Sequence, residues 1–179
     1  MGLKKITALI VFILLQMLAV GLYAQVTNFP IPTGNPNQLF YLQRTPNTNT
    51  IVCELNIENG KLNEDEPVHV YWLRYQEKGQ RQELSFIQRK FAYGLKTKKI
   101  AENKYELHFV SYKKQKMYLQ QWTDKQFRVF ALINKKVAVL SRFYLHINGG
   151  TFWSPNVEYI ELTGTDPVSH QVVKERKKL

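Results

Sequence analysis

The segments Phe127-Arg-Val-Phe-Ala-Leu-Ile133 and Val137-Ala-Val-Leu-Ser-Arg-Phe-Tyr-Leu-His-Ile147 stand on either side of the polar triplet Asn134-Lys-Lys136. Apolar residues recur at every second position over most of both segments. This period is typical of half-buried β-strands, because successive side chains of a strand point to opposite faces. The stretch therefore predicts a β-hairpin, and it sets the pattern for the rest of the chain.

The same alternation, bounded by turn residues, predicts further strands along the sequence. One more hairpin turns at Thr45-Pro-Asn-Thr-Asn49, and a third turns at Lys113-Lys-Gln-Lys116. The strands predicted in addition to the first hairpin are Leu39–Arg44, Thr50–Glu58, Val68–Tyr75, Lys104–Tyr112, Met117–Trp122 and Val157–Leu162.

One segment, Gln82 to Tyr93, has a different period. Its apolar residues recur at three- and four-residue steps, which predicts an amphipathic helix that ends at Gly94. About eight strands and one helix indicate a mainly β fold, either an antiparallel β-sandwich or a partly open barrel, with the helix covering one end or edge. Of these two folds, the sandwich is favoured.

The N-terminus has the order of a secretory signal peptide. Two basic residues, Lys4 and Lys5, precede the uncharged run Ile6 to Val20, and Ala24 is a candidate cleavage position. We expect residues 1–24 to be removed and the protein to be periplasmic or extracellular. The alternative is an uncleaved membrane anchor, since the apolar run approaches the length of a spanning helix.

The remaining chain divides into a proline-rich linker at residues 25–37, a single β-rich domain at 38–170 and a basic tail at 171–179. Signal removal lowers the net charge from +11 to +9, because Lys4 and Lys5 are the only charged residues lost. A strongly basic protein attracts anionic partners. For an exported protein we expect an envelope glycan, a lipid or a protein, and nucleic acid ranks last among these partners.

Cys53 is the single cysteine, so no disulfide can form within the chain. In Ile51-Val-Cys-Glu-Leu-Asn-Ile57 it shares a strand face with apolar residues, which predicts a buried thiol of low reactivity. A catalytic thiol is the less favoured alternative.

Three strings resemble an uncharacterised family of exported bacterial proteins, found mostly in Bacteroidetes and classed as a domain of unknown function. They are Asn35–Arg44, Ser85–Lys96 and Ile147–Pro155, and the similarity extends over residues 35–177. The resemblance implies export, a single domain and a Gram-negative envelope. It supplies no catalytic or binding residues.

Basic residues are concentrated between Arg89 and Lys116, and two tyrosines lie beside the predicted lysine-rich turn. If these residues lie together, they form an anion-binding patch, on which the tyrosines can stack against a sugar ring. Lysines that protect strand edges from aggregation are an equally good interpretation. The candidate residues are Arg89, Lys90, Lys96, Lys98, Lys99, Tyr112, Lys113, Lys114, Lys116 and Tyr118.

The loop Gly149-Gly-Thr-Phe-Trp-Ser-Pro155 adds Phe152 and Trp153 to the binding candidates. Binding residues often lie in such loops. The alternative is that the two aromatic rings fold back and close the end of the fold.

Metal and catalytic sites have weaker support. His69, His108 and His146 lie on three predicted strands and would form a zinc-type site only if those strands place the rings together. Paired carboxylates for glycoside hydrolysis have candidates in turns and strands, while nucleotide-binding and nucleophile-elbow motifs are absent from the sequence. The carboxylate candidates are Glu64, Asp65, Glu66, Asp124, Glu158 and Glu161.

These observations favour a non-enzymatic binding domain for an anionic envelope component or a protein partner, with no cofactor. Two alternatives stay open at this point: an envelope hydrolase acting on glycans or acyl groups, and a structural module of an envelope assembly.

Overall fold

A computed structural model describes residues 29–151 and 154–179 of the chain. The predicted signal peptide, residues 1–24, lies outside the described residues, and so do Phe152 and Trp153.

The described residues form a mainly β fold with thirteen strands, one short α-helix and one short 3-10 helix at Tyr75–Glu77. The helix, α1, spans Phe86–Phe91. The strands are β1 (Gln38–Arg44), β2 (Thr50–Leu55), β3 (Ile57–Glu58), β4 (Lys61–Leu62), β5 (Val68–Arg74), β6 (Gln80–Glu83), β7 (Leu95–Ala101), β8 (Lys104–Phe109), β9 (Tyr112–Gln121), β10 (Phe127–Ile133), β11 (Lys136–Gly150), β12 (Pro155–Thr165) and β13 (Val172–Lys178).

Eleven strands form one curled sheet. Nine of them follow the order β6-β5-β2-β1-β11-β10-β9-β8-β7, while β12 pairs with β11 and β13 pairs with β12. The long strand β11 organises this sheet. Its residue Val139 pairs with Phe130 of β10 and with Thr165 of β12, so these two strands lie on opposite edges of β11. Beyond the end of its pairing with β10, β11 pairs on that same edge with β1, where Arg142 lies opposite Tyr41.

The prediction of a mainly β fold with one helix is confirmed, but the favoured sandwich is wrong, because a single curled sheet forms a half-barrel. Two further details are also wrong. The sheet contains more than eight strands, and it is mixed, because β1 runs parallel to β11. Side-chain alternation reports which face a residue occupies and carries no information on strand direction. A parallel pair between segments so distant in sequence therefore leaves no local signal.

The predicted hairpin turn at Lys113–Lys116 is also wrong. The chain turns at Val110 and Ser111, and the lysines belong to strand β9. The reason is that Gln115 and Met117 are buried on the inner side, which commits this segment to the sheet.

The predicted helix is shorter than expected, because Gln80–Glu83 pairs with β5 as an edge strand. Helix α1 begins after Ser85, whose hydroxyl accepts a hydrogen bond from the Gln88 backbone N–H at 3.3 Å. The Gln88 side chain accepts in turn from the Ser85 N–H at 3.0 Å, which completes a capping box. Just past the helix, a Cβ at Gly94 would overlap the Arg89 carbonyl, so this close approach requires glycine.

The predicted basic tail forms the strand β13, which pairs with β12 along its whole length. Val173 packs against the core, and the Lys177 amine donates to the Gln115 side chain at 2.9 Å. One face of β13, with Val173 and Lys177, therefore packs on the domain. Lys174 and Lys178 lie on its exposed face.

The core lies on the inner, concave face of the curled sheet. Its completely enclosed centre contains Leu107, Met117, Leu119, Ile133 and Leu140. In the part of the chain that the structure describes, no helix is long and apolar enough to cross a membrane.

Candidate functional site

The predicted basic residues separate into different places in the structure. Strand register places Lys96 opposite His108, and Lys98 opposite Glu106, on the outer face of β7 and β8. Lys116 of β9 lies on the same side, since its amine is 3.2 Å from the Glu106 carboxylate. Lys114 is exposed and is separated from Lys116 by the buried Gln115, so we group it with Lys116. We call Lys96, Lys98, His108, Lys114 and Lys116 the basic face.

Other candidates are occupied elsewhere. Arg89 forms ion pairs with Glu66 at 3.0 Å and with Glu83 at 3.7 Å. The Lys99 amine pairs with Glu64, and this hydrogen bond raises the Lys99 pKa. Arg89 and Lys99 are therefore tied to neighbouring turns and are less available to a ligand.

The remaining candidates on α1 and β9 include Lys90, Tyr112 and Tyr118. The Lys90 amine lies 5.4 Å from the ring centre of Phe86, on the helix itself. Tyr112 packs against the core, whereas Tyr118 pairs with Glu106 on the outer face. The two tyrosines therefore lie on opposite faces of the sheet.

The three histidines have separate surroundings. His69 of β5 lies between Glu54 (3.1 Å) and Glu83 (2.7 Å), while the ring of His146 stacks on Tyr159 at 4.7 Å. His108 belongs to the basic face. Among residues 29–151 and 154–179, no group of three or more histidine, cysteine or acidic residues is arranged to hold a metal ion.

Cys53 is fully buried on β2, and burial, followed by the negative charge of Glu54, raises the pKa of its thiol. The prediction of a buried thiol is confirmed. A thiol that stays protonated is a poor nucleophile.

Five of the six carboxylates considered for hydrolysis, all except Asp65, lie next to cations or amides. Glu161 contacts Arg176 at 3.1 Å and Arg142 at 3.8 Å. Asp124 pairs with Arg128, and its pKa is lowered first by the Gln126 backbone N–H and then by that arginine. These ion pairs occupy the carboxylates of Glu161 and Asp124, which does not suit a general acid.

A polar cluster on the outer face holds the N-terminal segment of the described chain. The Arg81 guanidinium lies 2.7 Å from Glu54 and stacks over the Tyr71 ring at 3.7 Å. Asn35 donates to both Glu54 and the Tyr71 hydroxyl. We call Asn35, Glu54, His69, Tyr71 and Arg81 the outer cluster.

The inner face is open at one end. A cleft of about 510 Å³ lies between α1 and the strands β11 and β12, and its wall is mostly apolar. Helix α1 bounds one side through Ile87 and Phe91. The strands contribute Phe143, Leu145, Ile147, Val157 and Ile160.

Arg44, the last residue of β1, also lines the cleft. Its guanidinium lies 5.9 Å from the ring centres of both Trp72 and Tyr93. The two rings contact each other edge to face at 5.2 Å. Burial raises the pKa of the Tyr93 hydroxyl, and the positive charge of Arg44 opposes that shift.

Arg44 was missed by the sequence analysis, although a signal was present. In Phe40-Tyr-Leu-Gln-Arg44 the charged residue is in phase with Phe40 and Leu42, which are both buried in the core. A cation in phase with an apolar face is the unusual feature that would have identified it.

The loop that was predicted to bind contains Phe152 and Trp153, and both of these residues lie outside the described ranges. Thr151 and Ser154, on either side of them, line the cleft. The Thr151 N–H donates to the Ser154 carbonyl at 3.0 Å, so the two ends of the loop are held together.

The fold and its two candidate surfaces define a mainly β domain with a basic outer face and an apolar inner cleft. The family model for a domain of unknown function, DUF4833, matches residues 40–176, and the chain belongs to this family. No curated protein and no solved structure matches the chain. Export and an origin in Bacteroidetes stay predictions.

Proposed function

We propose that this domain is a non-enzymatic module that binds an anionic component of the bacterial envelope, with the basic face as its contact surface. Export to the periplasm or cell exterior is part of the proposal. The observation that carries it is the charge of the outer sheet surface.

Strands β7, β8 and β9 contain seven lysines and a single acid, Glu106. Lys96, Lys98 and Lys114 form no ion pair with any described residue, and all three are exposed. The strand register places Lys96 and Lys98 on the same face of β7, beside β8 and β9. A surface with several unpaired cations attracts a polyanion.

The absence of a favourable catalytic arrangement in the described residues supports binding over hydrolysis. Glu54 and Glu161 are held by arginines, and Cys53 is enclosed. The basic face itself contains cations and one tyrosine beside them, which suits recognition of charge.

The test is retention of the purified protein on a sulfated-glycan column and on vesicles that contain anionic lipid, measured over a salt gradient. A triple variant, Lys96→Gln with Lys98→Gln and Lys114→Gln, should elute at clearly lower salt, because salt screens the remaining charges more easily. The matched control changes Lys61, Lys136 and Lys178 to Gln, so that it loses the same charge elsewhere.

Equal elution of the triple variant and its control would show that net charge alone causes retention and would contradict a specific basic face. A wild-type protein that is not retained on either matrix at low salt would contradict the proposal as a whole.

A further inference from the structure

We infer that the cleft beside α1 binds a small amphiphile with one carboxylate head group and an apolar chain, the head on Arg44 and the chain along β11 and β12. This site lies on the inner face. It is separate from the basic face and goes beyond the function proposed above.

The size and lining of the cleft fit a small ligand. Its volume of about 510 Å³ falls within the range of roughly 300 to 1,000 Å³ that is typical of small-molecule sites. The side chains of these strand segments that line the cleft are apolar. They are Phe143, Leu145 and Ile147 on β11, and Val157 and Ile160 on β12. Burial of an apolar chain in this cleft would be favourable in proportion to the apolar surface removed from water.

The head-group position follows from Arg44, which has no aspartate or glutamate partner among the described residues. Its guanidinium forms no ion pair with a described residue, and its Nε atom is buried without a hydrogen-bond acceptor. Every Asp and Glu of the chain lies within the described ranges, since residues 1–28 and 152–153 contain none. An unpaired cation in such surroundings is costly, and an anionic ligand removes that cost.

The charge of the ligand is set by the same residue. Arg44 is the single cationic residue among those that line the cleft. A carboxylate carries one charge and accepts two parallel hydrogen bonds from a guanidinium. A phosphate monoester, with a charge between −1.5 and −2 at neutral pH, would leave charge uncompensated in an apolar wall.

Trp72 and Tyr93 hold the guanidinium ready for this role. Both ring centres are 5.9 Å from the Arg44 guanidinium carbon, within the range of cation–π attraction. Trp72 is anchored from its other side, because its indole N–H points to the Gln88 side chain of α1 at 3.4 Å. The cation is therefore positioned by aromatic rings, which leaves its hydrogen-bond donors for a ligand.

The mouth of the cleft is also apolar. Ile87 and Phe91 line the cleft and are 43% and 57% exposed. They therefore lie where the cleft opens to solvent. An apolar chain passing between α1 and the strands would cover these two side chains.

The experiment is calorimetric titration of the purified protein with laurate below its micelle concentration, beside dodecan-1-ol, which has the same chain and no charge. We expect saturable binding of one laurate and at least about tenfold weaker binding of the alcohol, since each 1.4 kcal/mol corresponds to a factor of ten. Arg44→Met should weaken laurate by at least about tenfold and leave the alcohol unchanged, because it keeps the aliphatic stem.

A surface pair keeps the test independent of any folding defect in the Arg44 variant. Ile87→Glu places an anion at the mouth and should weaken laurate binding by at least about fivefold. Its control, Ile100→Glu, changes an isoleucine of nearly equal exposure (44%) on β7, away from the cleft, and should bind laurate as the wild type does.

Three results would overturn the inference: no saturable laurate binding by the wild type, equal affinity for laurate and dodecan-1-ol, or equal effects of Ile87→Glu and Ile100→Glu. None of these results bears on retention by the sulfated glycan, which depends on the outer face.

Discussion

Arg44 and Arg81 occupy opposite faces of the same sheet and have opposite surroundings. Arg81, in the outer cluster, lies 2.7 Å from Glu54 and also reaches Glu83 at 3.6 Å. Arg44, on the inner side, is bounded by two aromatic rings and has no acidic partner among the described residues. The contrast separates a cation that stabilises the fold from one that is available to a ligand.

The inner face shows a second contrast along its length. Around Leu119 it is filled by side chains with no exposed surface, whereas around Leu145 it borders the open cleft. The same curled sheet therefore provides a close-packed core at one position and an open cleft at another.

The largest expected effect comes from the filled part of the inner face. Leu119→Ala should lower the free energy of unfolding by about 3 kcal/mol, because it leaves a cavity in a completely enclosed site. Leu145→Ala should cost about 1 kcal/mol, since the wall of the cleft already faces open space. Urea unfolding of both variants measures the difference, and equal losses would show that the cleft is closed in solution.

The next effect tests the outer cluster. Glu54→Gln should lower the free energy of unfolding by about 2 kcal/mol, because it removes the charge that Arg81 and His69 contact. Glu106→Gln is the matched control on the surface, where the single pair with Lys116 should contribute less than about 1 kcal/mol. A Glu54 variant as stable as the Glu106 variant would contradict a structural role for this cluster.

Lowering the pH should remove part of the contribution that Glu54 makes to the free energy of unfolding. Burial raises the pKa of this carboxyl, but hydrogen bonds from Arg81, His69 and Asn35 outweigh burial, so the folded-state pKa is lowered. The stabilisation is therefore fully present above the unfolded value of about 4.3 and is lost as the pH falls through the lower, folded value. Urea unfolding of the wild type and Glu54→Gln between pH 7 and pH 3 should show their difference shrinking, and a constant difference would contradict the lowered pKa.

The smallest effect has the opposite sign to that of the outer cluster. Arg44→Met should leave the free energy of unfolding unchanged or raise it by up to about 1 kcal/mol, because an unpaired cation is replaced by an apolar side chain of similar length. Arg81→Met should lower it, since Glu54 then loses its cationic partner. Thermal unfolding of both variants is the measurement, and a clear loss of stability in Arg44→Met would indicate that Arg44 is structural.

Several features could be predicted from local sequence. The alternation in Phe127–Ile133, the turn at Asn134 and the burial of Cys53 all depend on neighbours within a few residues. The helix was located correctly around Phe86–Phe91, but its start was not, because Gln80–Glu83 pairs with β5 instead. That pairing depends on β5, which precedes this segment in the chain. The helical spacing of apolar residues carries no information about it.

The candidate site shows the same division. The sequence analysis identified the lysines at positions 96, 98, 114 and 116, but not their common face, since it placed two of them in a turn. It joined Tyr112 with Tyr118, which the sheet separates. Residue type could be read locally, whereas the shared face required the register between β7, β8 and β9.

By itself, the sequence determined the β character, two of the three predicted hairpin turns, the single helix and the excess of positive charge, because each follows from local side-chain period or composition. Only the tertiary structure decided the parallel pairing of β1 with β11, the inclusion of β13 in the sheet and the lack of an ion pair between Arg44 and any described Asp or Glu. These features arise from contacts between residues far apart in the chain, and such contacts are set by how the whole sheet curls and closes.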